Sequence, residues 1–224
     1  MVTLCALIAA FNEEVHVAAV VKGTAAYASA VVVVDDGSTD DTAARARDAG
    51  AIVIRHEQNR GKGQAIRTGL EYVLKQDCSH VLFLDADLQH DPAEIPRLVA
   101  CAEQSRGDFV IGEREFRKDA MPAARFHANV IGSAILSRFI GADVADSQSG
   151  FRLIRADLLR RVRFTGTGYE IETEMLIKLV RAGAAVERVT IQRLQYEGAH
   201  SKIRPFWDTF RTCMLAVRYR YLSS

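Results

Sequence analysis

Short, uninterrupted apolar segments alternate with more polar ones along the first half of the chain. Three of the apolar segments end abruptly in polar or acidic clusters. They run from Leu4 to Ala10, from Ala30 to Val34 and from His80 to Leu84. Runs of this length are typical of parallel strands that are buried on both faces.

The segments between these strands follow residues that suit helix caps. The predicted helices run from Glu14 to Ala28 and from Asp41 to Ala49, and Gly50 separates the second one from a further strand, Ala51 to Arg55. Strands and helices in alternation predict an α/β fold, with a Rossmann-like, mostly parallel central sheet and helices on both faces.

No feature of the sequence marks a boundary between domains. The 224 residues suit one domain, and the chain has only four prolines and no linker rich in serine and glycine. The pattern changes near residue 115, after which we expect a basic loop, a helix from about Pro122, a turn at 146–150 and further helices. We therefore predict a single domain over residues 1–224.

Composition and charge narrow the class of protein. With 49% hydrophobic and 25% charged residues, the chain is expected to form a core and not to be disordered. The 29 basic and 28 acidic side chains give a net charge of +1, so no global field recruits nucleic acid. The four cysteines are far apart and contain no CxxC pair, which argues against a zinc site or a disulfide framework and favours a reducing compartment.

Acidic clusters follow the three predicted strands. In an open α/β sheet, ligands bind beyond the carboxyl ends of the strands, so these clusters should meet at one edge. Carboxylates packed together repel one another, which indicates a metal or a cationic ligand. The clusters are Asn12 with Glu13, Asp35 with Asp36, and Asp85 with Asp87.

The segment after the third strand is the strongest candidate for a metal site. Asp85 and Asp87 lie on the same side of the chain with the small Ala86 between them, and Gln89 adds a neutral oxygen. Such oxygens suit Mg²⁺ or Mn²⁺, which leaves positions open for phosphate oxygens. The alternative is a turn whose acids cap the next helix, and Asp91 before a proline fits a cap.

Two further turns contain polar residues that could bind a ligand. A carboxylate of the Asp35 to Thr42 run could accept hydrogen bonds from a nucleobase, although such runs are also common strand-to-helix turns. The run from Asn59 to Ala65 lacks both the dinucleotide-binding and the Walker spacing. The helix that follows it could bind an anion, or the loop could be a tight connection only.

The second half of the chain contains three alternate acids and an amphipathic segment. Glu170, Glu172 and Glu174 are expected to form a solvated helix start, with Glu170 and Glu174 on one face and Glu172 on another. The alternative is a catalytic role for one of these acids as a general base. Residues 203–222 are predicted to form a helix with one apolar face and flanking arginines, which lies on a membrane surface or packs on its own domain. No apolar run reaches the roughly 18 residues of a spanning helix.

Six motifs occur in an order that resembles the family-2 glycosyltransferases. The similarity is to the branch of dolichyl-phosphate mannose synthase and its bacterial polyprenyl-phosphate relatives, and it covers nearly the whole chain. The motifs are AFNE at 10–13, DDGSTDDT at 35–42, NRGKGQA at 59–65, DADLQHDP at 85–92, SGFR at 149–152 and SK at 201–202.

The resemblance implies a GT-A fold, a UDP- or GDP-sugar donor, Mg²⁺ or Mn²⁺, and inversion at the anomeric carbon. Residues 1–115 would then bind donor and metal, residues 116–202 the acceptor, and residues 203–222 would form the amphipathic helix. The residues that the resemblance places at the donor are Ala9, Phe11, Glu13, Asp35, Asp36, Lys62, Asp85, Ala86, Asp87, Gln89, Arg114 and Lys202.

Specific roles within this set follow from the motif positions. Asp85, Asp87 and Gln89 would hold the metal, and Arg114 and Lys202 would assist Asp87 in catalysis. Ala9 departs from the family pattern, because many members have proline there. For a lipid phosphate acceptor the site needs cations and no strong base, since a phosphate monoester is already anionic. The candidate acceptor residues are Arg117, Arg125, Ser149, Arg152 and Glu174, with Lys118 and Arg138 in the same half.

The resulting expectation is an inverting glycosyltransferase that moves a hexose to a polyprenyl phosphate, dolichyl or undecaprenyl. It would be cytoplasmic and peripheral at the cytosolic membrane face, with the membrane surface or a membrane-embedded protein as its partner and no nucleic acid. The alternatives are a transferase for a soluble or cell-envelope hydroxyl acceptor, and a nucleotide-sugar-binding subunit without turnover. A nucleotidyltransferase is less consistent, because AFNEE offers acids where a glycine-rich basic loop is expected.

Overall fold

The computed structural model describes residues 2–105, 107–114, 133, 137–142, 144 and 146–192. The helix expected from Pro122, the C-terminal helix over 203–222, and the candidate residues Arg117, Arg125 and Lys202 lie outside these ranges.

Strands and helices alternate over the first part of the chain, as predicted. The strands are β1 (Leu4–Ala10), β2 (Ala30–Asp35), β3 (Ile52–Arg55), β4 (His80–Asp85), β5 (Phe109–Arg114), β6 (Arg152–Arg155) and β7 (Val186–Ile191). The helices are α1 (Val17–Ala25), α2 (Thr42–Asp48), α3 (Lys62–Val73), α4 (Ile95–Gln104), α5 (Ala156–Arg161) and α6 (Ile171–Arg181), with a 3₁₀ turn at Pro92–Glu94 before α4.

The seven strands form one sheet in the order β3-β2-β1-β4-β6-β5-β7. Strand β6 is antiparallel to both of its neighbours, and the other adjacent pairs are parallel. Buried side chains form a core on each face, because alternate residues of a strand point to opposite sides. In β1, Leu7 belongs to the core that α3 and α6 cover, while Ala6 and Ile8 belong to the core that α1 and α4 cover. The predicted mostly parallel sheet with helices on both faces is confirmed.

The register brings the predicted acidic clusters to one edge. Ala9 pairs with Asp85 and Ala10 pairs with Asp35, so β1, β2 and β4 end at the same level. Strand β6 enters the sheet in the opposite direction, with Arg152 opposite Phe83. The turn that precedes β6 therefore lies beside the end of β4.

Helix α1 begins later than the sequence predicts. The N–H of Val17 donates to the carbonyl of Glu13, and residues 12–16 form a turn instead of the first helical turn. Asn12 has a φ of 52°, and its side chain accepts the N–H of Thr39, which ties the turn after β1 to the turn after β2. Among the described residues, no helix is long and apolar enough to span a bilayer.

Candidate active site

The end of β4 carries the two carboxylates of the predicted metal site. Asp87 Oδ1 accepts the N–H of Gln89 at 3.0 Å, and Leu88 between them has a φ of 58°. Burial, followed by the negative charge of Asp85, raises the pKa of Asp87 to about 6. The charge of Glu13 acts in the same direction and Lys62 opposes it. The carboxylates of Asp85, Asp87 and Glu13 therefore lie close enough at this edge to influence one another, as carboxylates do at sites that bind cations.

Lys62, the first residue of α3, lies between two carboxylates. Its Nζ is 2.5 Å from Asp85 Oδ1 and 2.6 Å from Glu172 Oε1. It is also 5.8 Å from the centre of the Tyr169 ring. Burial opposes the charge on Lys62, but Asp85 and Glu172 outweigh burial and hold its pKa above the usual value.

Arg152 forms the buried support of the site. Its guanidinium donates to the carbonyl of Ser149 at 2.7 Å, of Ser147 at 2.7 Å and of Glu172 at 2.6 Å. Burial lowers the pKa of Arg152, and the charges of Glu172, Asp146 and Asp85 counteract that effect. The guanidinium therefore connects the turn before β6 to the start of α6.

Ser149 and Arg152, two candidates for the acceptor, have their hydrogen bonds within the protein, and their contact with an acceptor stays a prediction. Arg152 is 1% exposed and donates to three backbone carbonyls, and Ser149 is fully buried and donates to the carbonyl of Gly112 at 2.6 Å. Both side chains hold the turn beside Asp85. Gly150 of this turn lies so close that an added Cβ would be 2.8 Å from Asp85 Cγ.

Glu174, a third acceptor candidate, also has its contacts within the protein. Its carboxylate accepts the N–H groups of Thr165 at 2.9 Å and Gly166 at 2.7 Å, and it is 2.7 Å from Lys178 Nζ. Glu172 and Glu174 are 5% and 1% exposed, so the expected solvated helix start is wrong. The acids are buried because α6 lies against the sheet and their oxygens meet internal donors.

Replacing Glu174 with Gln should lower the free energy of unfolding by about 1–3 kcal/mol, because buried donors lose a charged acceptor. Burial alone would raise the pKa of Glu174, but Lys178 and the donors at 165–166 outweigh it and the pKa is lowered. A lowered pKa stabilises the fold above the ordinary value near 4.5, and this contribution is lost as the pH falls. Between pH 7 and pH 3, the free energy of unfolding measured with urea should therefore fall by less in the variant than in wild type.

The matched control for this prediction is Glu71→Gln, which neutralises an exposed carboxylate on α3. It should change the free energy of unfolding by less than about 0.5 kcal/mol. An unchanged free energy of unfolding for Glu174→Gln, combined with weaker binding of the expected lipid-phosphate acceptor, would contradict the structural role.

Asp36 holds the loop that precedes α3. Its carboxylate accepts the N–H of Arg60 at 2.9 Å and of Gly61 at 2.8 Å, and it is hydrogen bonded to His56 Nδ1 at 2.7 Å. His56 Nε2 is in turn 3.0 Å from the Thr68 hydroxyl. This arrangement fixes the backbone from which Lys62 projects.

The same loop packs against the turn that Glu174 holds. Gln64 donates its N–H to the carbonyl of Thr167 at 3.2 Å, and an added Cβ at Gly63 would lie 2.6 Å from the carbonyl oxygen of Gly166. Glycine is required at Gly63 by this close approach. Two loops distant in sequence thus form one support below Lys62.

Asp35 is fully buried, accepts the N–H of Ser38 at 3.1 Å and pairs with Arg55 at 3.1 Å. Both Asp35 and Asp36 therefore have contacts within the protein, and the base or ribose contact that the resemblance implies stays a prediction.

The remaining donor candidates are only partly located. Ala9 lines a small cavity together with Lys62, Asp85 and Gly150. Phe11 and Glu13 are half-buried in the turn after β1, and Ala86 is buried. The backbone of Arg114 ends β5. Nucleotide contacts of these residues stay predictions.

Sequence reasoning missed three residues of this region: His56, Tyr169 and Glu172. His56 shows no ligand spacing, and only its contact with Asp36 reveals its place. Glu172 was expected in a solvated helix start, whereas it is buried and pairs with Lys62. No signal in the sequence indicates that the start of α6 lies against the start of α3.

The residues at the end of β4 fit a hard divalent ion. Two carboxylates and an amide could provide oxygen ligands, and burial, followed by the charge of Asp85, raises the pKa of Asp87. Over the described part of the chain, no three His, Cys, Asp or Glu side chains converge as a complete ligand set.

The chain matches the model of glycosyl transferase family 2 over residues 5–163. It is 29% identical to an undecaprenyl-phosphate mannosyltransferase of Micrococcus luteus, covering 78% of this chain and 76% of that protein. It is 28% identical to a UDP-N-acetylglucosamine–dolichyl-phosphate N-acetylglucosaminyltransferase of Methanococcus voltae, covering 85% of both.

Among solved structures, it is similar to glucosyl-3-phosphoglycerate synthase from Mycobacterium tuberculosis in complex with Mn²⁺ and UDP-glucose. The TM-score is 0.73 and the identity is 23%, over 98% of this chain and 79% of that one.

Proposed function

Since the chain belongs to glycosyl transferase family 2, we propose that it transfers a hexose from a UDP- or GDP-sugar to a polyprenyl phosphate. It is a glycosyltransferase with the GT-A fold of its structural neighbours. The observation that carries the proposal is the pair Asp85 and Asp87 at the carboxyl edge of the sheet, with Lys62 in contact with Asp85. The acceptor class is supported by the names of relatives that act on undecaprenyl and dolichyl phosphates.

The side chains at this edge suit the departure of a diphosphate. A divalent ion held by Asp85, Asp87 and Gln89 would supply the positive charge that stabilises the leaving group. Lys62 brings a second cation to the same place. Arg114 and Lys202 are the further cations that we propose on the donor.

The acceptor oxygen is proposed to attack the anomeric carbon opposite the diphosphate. The new bond joins this carbon to the phosphate oxygen, the bond to the diphosphate breaks, and the configuration inverts. A phosphate monoester is largely anionic at neutral pH, so the attacking oxygen requires no general base. The buried positions of Glu172 and Glu174 are consistent with such a mechanism.

We further propose that the protein works at the cytosolic face of the membrane, where its lipid acceptor lies. The predicted helix over 203–222 is our candidate for contact with the lipid surface, through its apolar face and flanking arginines.

The full chain is tested with Mn²⁺ or Mg²⁺, vesicles that contain undecaprenyl or dolichyl phosphate, and UDP-glucose, UDP-N-acetylglucosamine or GDP-mannose labelled in the sugar. We expect metal-dependent transfer of label into the lipid extract with at least one donor, and an inverted anomeric linkage by NMR.

Three outcomes would contradict the proposal. Transfer only to a soluble alcohol would favour the hydroxyl-acceptor alternative. Metal-dependent donor binding without sugar release, even with membranes supplied, would indicate a binding subunit. Label that follows the nucleotide instead of the sugar would indicate nucleotidyl transfer.

A further inference from the structure

Asp85 takes part in two arrangements that compete. It is one of the oxygen ligands proposed for the divalent ion, and it is also in contact with the ammonium group of Lys62 at 2.5 Å. A divalent ion and an ammonium group on the same carboxylate repel each other, most strongly where burial weakens the screening by water. Lys62 is 17% exposed and Asp85 is 26% exposed.

Two described cations that act on Asp85, Lys62 and Arg152, differ in their freedom to move. Arg152 donates to three backbone carbonyls, and its planar guanidinium is fixed by them. Lys62 instead carries its charge on a flexible stem, and both of its ionic partners are side-chain carboxylates. Asp36 and the contact with Gly166 hold the backbone around Lys62. The ammonium group itself is held by the two side-chain carboxylates, so a shift toward Glu172 requires no movement of this backbone.

Glu172 provides the place to which Lys62 can withdraw. Its carboxylate is 6% exposed and lies 2.6 Å from Lys62 Nζ. Its backbone carbonyl accepts a hydrogen bond from Arg152 at 2.6 Å, which fixes the backbone that carries this carboxylate. The ring of Tyr169, 5.8 Å away, adds a second surface that favours a cation.

We propose that Lys62 occupies the cation position at Asp85 while no divalent ion is bound, and that Glu172 is a positioning residue that retains the displaced lysine beside the donor. The inference rests on the proposed function, because it assumes that Asp85 binds the ion. Donor-free protein then binds metal weakly, since Lys62 must be displaced. The displaced ammonium group remains within reach of the incoming diphosphate.

The test measures Mn²⁺ binding to the full, donor-free protein by calorimetry, with electron paramagnetic resonance as a second readout. Lys62→Met should bind Mn²⁺ about fivefold more tightly or better, the lower range of typical coupling between sites. Glu172→Gln should bind Mn²⁺ about fivefold more weakly. Without the charge of Glu172, the ammonium group of Lys62 pairs more strongly with Asp85 and is harder for the ion to displace.

Two comparisons separate this displacement from a general effect of charge. Arg60→Met removes a positive charge two residues away, from an exposed side chain of the same loop, and should change Mn²⁺ affinity by less than about twofold. In a Lys62→Met background, Glu172→Gln should also have an effect of less than about twofold, because its action depends on the lysine. Lys62→Gln, which keeps a polar partner for both carboxylates, should tighten binding in the same direction as Lys62→Met.

Thermal unfolding of each variant identifies any loss of fold. If wild type binds Mn²⁺ but neither Lys62 variant binds it more tightly, the displacement is overturned while the metal site stands. The displacement of Lys62 is also overturned if Arg60→Met changes the affinity for Mn²⁺ as much as Lys62→Met does. If no variant binds Mn²⁺ and sugar transfer proceeds with metal chelated, the metal assignment in the proposed function fails and the inference fails with it.

Discussion

Replacing Asp87 with Asn is expected to lower kcat/KM for sugar transfer by about 10²- to 10³-fold, the range for loss of one charge-stabilising group. The variant keeps the shape of the side chain but removes one of the two carboxylate charges. The same variant should unfold at a higher temperature than wild type when no metal is present. Burial and the charge of Asp85 both disfavour the ionised form of Asp87 in the folded protein, so neutralisation relieves repulsion.

The measurement combines steady-state kinetics at saturating Mn²⁺ with calorimetric unfolding of metal-free protein. Asp91→Asn is the matched control, because Asp91 lies on the same segment and accepts the N–H of Ala93 at 2.9 Å as a helix cap. Asp91→Asn should keep kcat/KM for transfer within about twofold of wild type, and its free energy of unfolding should fall by up to about 1 kcal/mol. Undiminished transfer by Asp87→Asn would remove this residue from the catalytic set.

Replacing Arg152 with Met is expected to lower the free energy of unfolding by about 3–5 kcal/mol, the cost of breaking a buried ionic network on one side. Three carbonyl groups lose their donor, and the buried carboxylate of Glu172 loses a compensating charge. Methionine fills most of the volume of the arginine side chain, so the lower free energy of unfolding reflects the lost polar contacts more than a new cavity. Urea unfolding followed by circular dichroism measures the change.

Arg97→Met serves as the control for this second variant. Arg97 is 54% exposed and pairs with Glu94 at 2.6 Å on the surface of α4. Exposed pairs of this kind contribute about 0–1 kcal/mol. Equal stabilities of Arg152→Met and Arg97→Met would show that the buried network contributes little.

The position of the carboxylates that we propose as metal ligands could be predicted from sequence because strand ends are local features. A buried strand is recognised in the sequence as an apolar run, and the carboxyl ends of parallel strands meet at one edge of the sheet. The sequence alone therefore predicts that Asp85 and Asp35 lie at the same level. The register confirms this arrangement. The cap at Asp91 is confirmed for the same local reason.

The support beneath these carboxylates could not be predicted, because it depends on contacts between distant segments. Lys62 meets Glu172 only after α3 and α6 have packed on the same face of the sheet. The burial of Arg152 and Glu174 was missed because arginine and glutamate are usually exposed. Their burial requires internal partners, and the carbonyls at 147–149 and the N–H groups at 165–166 become available only in the folded turns.

The antiparallel insertion of β6 has a consequence for synthesis of the protein. Strand β4 pairs with β1 on one side and with β6 on the other, and β6 leaves the ribosome only after β5 and the segment that follows it. A nascent chain that has completed β1 to β4 therefore exposes the unpaired edge of a strongly apolar strand, which is a template for aggregation. We expect chaperone dependence to be greatest during this interval and to end once Arg152–Arg155 has paired.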